Sequence, residues 1–120
     1  VADEMLPKLL GETTRSTRPA VASRVRELIQ SQTTDTIAAA VVRMRDRPDS
    51  GPLLSTIDLP ALLVVGAEDT LTPVAESEKM RDALPHAKLV VIPGAGHLAS
   101  IENPFAFNAT VAGFLSSFDR

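Results

Sequence analysis

Two short runs of branched apolar residues, Leu62–Val65 and Leu89–Ile92, constrain this chain more than any other feature of it. Each has the length and composition of a parallel strand buried on both faces. The stretch between them is helical-looking, so the order reads strand, loop, helix, strand, loop. Each run opens into a glycine-bearing loop carrying one residue able to do proton chemistry, Asp69 after the first and His97 after the second. In parallel α/β sheets, active groups gather beyond the carboxyl ends of the strands. The unit Pro60–Leu98 therefore brings an acid and a base onto adjacent loops, and a nucleophile would complete the set.

The remainder reads as helices. Met5, Leu6, Leu9 and Leu10 share one side of a short helix over Ala2 to Gly11, with Gly11 as its stop and Pro7 tolerable only in its first turn. Glu12–Arg18 is polar and reads as a loop. Pro19 suits a helix start, and Val21, Val25, Leu28 and Ile29 follow as an amphipathic stripe, with Arg24, Arg26 and Glu27 on a solvated face. Thr34 or Asp35 can cap the next helix, whose stripe is Ile37, Ala40, Val41 and Met44 and whose Arg43, Arg45 and Arg47 suit a C-terminus. Arg47–Pro52 is turn chemistry. Thr72-Pro73 reads as an N-cap and first-turn pair for a crossover helix to about Leu84, presenting Ala75, Met80, Ala83 and Leu84. His86, just past its end, reads as solvated. Asn103-Pro104 is a second such pair, followed by Phe107, Val111, Phe114, Leu115 and Phe118 at helical spacing, a face that packs on the sheet; Phe105 lies in the first turn. These readings divide the chain into a helical half, residues 1–52, and a βαβα half, residues 53–120.

Composition narrows the function classes. A net charge of −3, with no basic cluster interleaved with aromatics, argues against nucleic acid or an anionic membrane surface as partner. No apolar run approaches the roughly 20 residues that span a bilayer. The chain has no cysteine, which excludes disulfides and thiolate metal sites. No signal-peptide pattern opens it, so the cytoplasm is the default location.

The loops Gly66-Ala67-Glu68-Asp69-Thr70-Leu71-Thr72-Pro73 and Gly94-Ala95-Gly96-His97-Leu98, followed by Glu102-Asn103-Pro104-Phe105-Ala106-Phe107, together resemble the C-terminal part of α/β-hydrolases. Met5-Leu6-Pro7-Lys8-Leu9-Leu10-Gly11 and Arg47-Pro48-Asp49-Ser50 look like the 3-oxoadipate enol-lactonase and carboxylesterase members. The resemblance implies a partial α/β-hydrolase fold, with a helical cap-like N-terminal half followed by a two-strand βαβα half. It also implies hydrolysis of a small carboxylic ester or lactone with no metal and no organic cofactor. It makes Asp69 the acid and His97 the base of a Ser-His-Asp triad.

Asp69 competes with Glu68 beside it, and either Asp69 or His97 taken singly could be a structural loop residue. The triad needs a nucleophile in a strand–turn–helix elbow, G-x-S-x-G, with an oxyanion hole nearby. Neither that motif nor an HG-type oxyanion loop occurs here, and Ser50, Ser55, Ser77 and Ser100 lack the elbow. The expectation is a chain inactive by itself, associating as a homo-oligomer through an exposed sheet edge or its helical half. The alternative is a non-enzymatic interaction or assembly module built from the same segment. A nucleotide-binding domain is disfavoured, because no G-x-G-x-x-G or Walker loop is present.

Overall fold

The computed structural model describes residues 1–119. Four helices come first: α1 (Ala2–Leu9), α2 (Glu12–Thr17), α3 (Pro19–Gln30) and α4 (Thr34–Asp46). A 3-10 turn (Gly51–Thr56) leads to strand β1 (Ala61–Gly66), helix α5 (Val74–Ala83), strand β2 (Ala87–Ile92), the single turn α6 (Ala99–Glu102) and helix α7 (Pro104–Ser116). The strands pair in parallel, from Ala61 opposite Ala87 to Gly66 opposite Ile92, with α5 as the crossover. This is the βαβα unit expected from the two apolar runs, each extended by a residue or two.

Apolar packing is split into two clusters. Leu6, Leu10 and Val25 join α1 to α3, with Leu9, Val21, Ala22, Ile29 and Leu98 around them. Ile92, Ala95 and Ala99 form the second, against Val64, Val90, Ala106 and Phe107, and seat α7 on the sheet. Leu98 belongs to the first cluster and Ala95 to the second, so the loop carrying His97 lies at the seam between them. Fully burying one such Leu or Ile is worth about 1.5–3 kcal/mol, which makes both clusters real but small anchors.

Close backbone approach at that seam depends on glycine. A Cβ on Gly66 would run into the backbone of Ala95 and Gly96, and one on Gly96 would meet the backbone of Leu10 and Gly11. The two glycines let the Asp69 loop, the His97 loop and the α1–α2 corner stack on one another.

Several local expectations are corrected. Glu12–Thr17 is helical rather than a loop: Gly11 serves as its N-cap instead of a stop, and Thr14 is buried on its inner side. Tertiary contacts at Thr14 override the weak helix propensity of its Ser and Thr residues. Pro7 sits in the second turn of α1, not the first. The missing N–H removes one bond from a helix held mainly by Leu6 and Leu10. Helix α4 is capped by Thr33, whose hydroxyl accepts from the Thr36 amide, rather than by Thr34 or Asp35. Its anticipated apolar stripe is not buried: Val41 is 59% and Met44 64% exposed, and only Ile37 is half-covered. Thr72 does not cap α5, which starts at Val74 with Pro73 in the cap position. The inward positions of α5 are Val74, Ser77 and the following Leu84, while Ala75, Met80 and Ala83 are exposed. Val91 leaves one face of β2 partly open, so this strand is not covered on both faces. His86 is exposed as expected, but its ring also pairs with Asp58 at 2.8 Å.

The cap at Asn103 is as read: its side chain accepts from the Ala106 amide. Of the α7 stripe, Phe107, Val111 and Phe114 are half-buried, whereas Leu115 and Phe118 stay exposed; the Phe114 and Phe118 rings meet edge-on at 5.0 Å.

The radius of gyration is 16.1 Å. A compact domain of this length has a radius of about 13.6 Å. The excess, together with the bare face of α4, marks a segment that does not close a core around itself.

Candidate active site

Asp69 leaves the end of β1 in a tight loop that consumes its carboxylate. One oxygen, Oδ1, accepts from the amides of Leu71 and Thr72, both at 2.9 Å. The other, Oδ2, accepts from the Thr72 hydroxyl at 2.9 Å and faces Nδ1 of His97 at 3.0 Å. Asp69 is only 8% exposed, while the His97 side chain is 35% exposed. Burial by itself pushes the Asp69 carboxyl up. The Thr72 amide, the His97 ring and the Thr72 hydroxyl outweigh it and hold the group below the usual carboxylate range.

An ionised carboxylate only accepts, so Nδ1 of His97 carries a proton, and in the neutral ring that leaves the lone pair on Nε2. Among the described residues, Nε2 has no hydrogen-bond partner; the ring's contacts are to Asp69 and, at 3.3 Å, to the Thr72 hydroxyl, both at Nδ1. The pair thus selects one tautomer of the neutral imidazole, the one whose basic nitrogen, Nε2, is open to a hydroxyl proton.

Glu68, the competing acid, is committed elsewhere. Its Oε1 accepts from the Thr13 amide at 2.9 Å, tying β1's loop to α2. Its pKa is lowered first by that amide and then by the Thr13 hydroxyl. Ser100 lies on α6 and is exposed, and no serine among the described residues hydrogen-bonds His97. Ser77, Ser50 and Thr72 are among the residues lining a groove of about 640 Å³ between the 3-10 turn and α5. Among the described residues, no three His, Cys, Asp or Glu side chains are grouped as a metal would require, and no helix is long and apolar enough to cross a membrane.

Two polar residues at the site carry no local signal of that role. Thr72 reads as a helix cap but orients Asp69 instead. Glu102 is marked in the sequence only by its place in Glu102-Asn103-Pro104. It is fully buried, and it bonds the amides on both sides of His97.

A buried aspartate and a partly exposed histidine, paired beyond the ends of neighbouring parallel strands, define an acid–base layout of the α/β-hydrolase kind. Residues 7–104 match the family model described as alpha/beta hydrolase fold. The chain belongs to that family. It is 41% identical over 63 residues to a protein of Caulobacter sp. (strain K31) named "Putative carbamate hydrolase RutD", a match covering 52% of this chain and 24% of that protein. It is 34% identical over 71 residues to 3-oxoadipate enol-lactonase 2 of Acinetobacter baylyi, covering 59% of this chain and 26% of the lactonase. Among solved structures, a thermophilic esterase from Thermogutta terrifontis superposes with a TM-score of 0.92 at 37% identity, over 97% of this chain and 43% of the esterase chain. The chain therefore spans about a quarter of the curated relatives' length and less than half of the esterase.

Proposed function

We propose that this chain supplies the acid and the base of a serine hydrolase acting on a small carboxylic ester or lactone, and that it holds no nucleophile of its own. The observation that carries the reading is the 3.0 Å approach of Asp69 Oδ2 to His97 Nδ1, with every other lone pair of Asp69 already directed at a Leu71 or Thr72 donor. The similarity to an esterase and an enol-lactonase supports the substrate class.

In the proposed reaction, a serine hydroxyl from outside these residues attacks the acyl carbon while His97 Nε2 takes its proton. Asp69 stabilises the resulting imidazolium through Nδ1–H. His97 then protonates the departing alkoxide as the carbon–oxygen bond breaks, leaving an acyl-serine. Water repeats the sequence: Nε2 takes its proton, the acyl–serine bond breaks, and the proton returns to the serine oxygen. A second polypeptide carrying G-x-S-x-G is one source of the hydroxyl, and its co-purification would identify a split enzyme.

The test uses the 120-residue chain. Incubated with an activated ester and a serine-reactive phosphonate, it should show neither turnover nor labelling. Turnover that His97→Ala abolishes would overturn the claim that no nucleophile is present. The acid–base claim is read separately, from the ¹⁵N signals of the His97 ring: a single Nδ1–H tautomer is expected, becoming mixed in Asp69→Asn. A mixed tautomer in the native chain would sink it.

A further inference from the structure

We propose that Glu102 is a positioning residue for His97, acting through the backbone of the loop that bears it. The inference rests on the acid–base reading of His97 and extends it to a group with no contact to the ring.

A carboxylate sealed from water is strongly unfavourable unless its oxygens are fully hydrogen-bonded. Glu102 is 0% exposed, and no cationic side chain pairs with it among the described residues. Four donors satisfy it instead. Oε1 accepts from the Gly11 amide at 2.7 Å and the Thr14 hydroxyl at 2.8 Å. Oε2 accepts from the amides of Gly96 at 2.9 Å and Leu98 at 3.0 Å. The intervening His97 amide donates to the Leu9 carbonyl at 3.0 Å, which the Leu98 amide also reaches at 3.3 Å. Three consecutive amides, on either side of the base and at the base itself, are thereby fixed. With the backbone held, Asp69 has only the ring's own torsions to set.

The two oxygens do different things, and chemistry separates them. Glutamine has the same shape but replaces one oxygen with an N–H₂ donor. At the Oε2 position that donor would face two amide N–H groups, neither of which can reverse. At the Oε1 position it would face one amide and a hydroxyl, and the hydroxyl can rotate to accept. Glu102→Gln should therefore keep its oxygen on Gly96 and Leu98 and release Gly11. Glu102→Ala releases both sides.

Hydrogen exchange and the His97 tautomer, measured on the 120-residue chain, test this. In Glu102→Gln, the Gly96 and Leu98 amides should exchange within about threefold of native and Gly11 at least about tenfold faster. In Glu102→Ala, the Gly96 and Gly11 amides should accelerate by about tenfold or more, Leu98 by less because it keeps the Leu9 carbonyl, and the His97 tautomer should become mixed, whereas Glu102→Gln restores a single tautomer. As a control, Glu68→Ala frees Thr13 without touching the His97 loop and should leave the tautomer native. A folded Glu102→Ala with a native tautomer, a mixed tautomer in Glu102→Gln, or exchange protected at Gly11 and lost at Gly96 and Leu98 would each overturn the role of Glu102. If Glu102→Ala does not fold, the exchange pattern of Glu102→Gln decides. A mixed tautomer in the native chain would overturn the acid–base reading as well, which keeps the two failures distinguishable.

Discussion

Asp69, proposed as the acid of the site, also contributes stability, and that contribution depends on pH. Its folded pKa lies below the ordinary 3.8. A depressed carboxylate contributes stability that is complete above the unfolded value and is lost as pH falls through the folded one. Urea midpoints of the native chain should hold from neutral pH to roughly pH 4 and then fall, while Asp69→Asn should start lower and show a shallower acid decline. At neutral pH, Asp69→Ala should cost about 2 kcal/mol, because it strands the Leu71 and Thr72 donors. In any assembly that supplies the nucleophile, Asp69→Asn should lower kcat by about 10⁴, since the neutral amide no longer enforces the tautomer. Gly66→Ala tests the seam directly. With backbone atoms in the way of its methyl group, it should lower stability by about 3 kcal/mol or prevent folding, as read by circular dichroism against urea.

The elements divide by whether local chemistry or packing specifies them. Strands β1 and β2 and helix α7 were legible because their signals are local: branched apolar runs, an Asn-Pro start and a 3.6-residue apolar period. Helix α2 was not. Its residues have poor helix propensity, and it forms where the buried Thr14 hydroxyl reaches Glu102, 88 positions away in sequence. Thr72 illustrates the same competition. A Thr-Pro pair reads as a helix start, but its hydroxyl is captured by Asp69, three residues back. The contrast between α1 and α4 is measurable. Leu10→Ala should cost about 2–4 kcal/mol in denaturation midpoints, whereas Met44→Lys should stay within about 0.5 kcal/mol, because only Leu10 is buried.

At the scale of the whole molecule, two small apolar clusters are joined by polar bonds through Glu68 and Glu102, and the sheet has two strands with an open edge on each. Unpaired edges and bare apolar faces seek partners. We therefore expect the chain to self-associate through the β1 edge or the helical half, where Val41, Val42 and Met44 are exposed. Sedimentation should show a dimer or larger species, and a monodisperse monomer at high concentration would contradict this. Local order along the chain determined the parallel βαβα unit and named Asp69 and His97, because strand periodicity and loop position are short-range properties. The choice of Asp69 over Glu68 at 3.0 Å from His97, the anchoring of that loop by Glu102, and the lack of cover over α4 among the described residues were decided only in three dimensions. Hydrogen-bond partners far apart in sequence leave no periodic trace, and a helix's apolar stripe carries no record of whether anything is present to bury it.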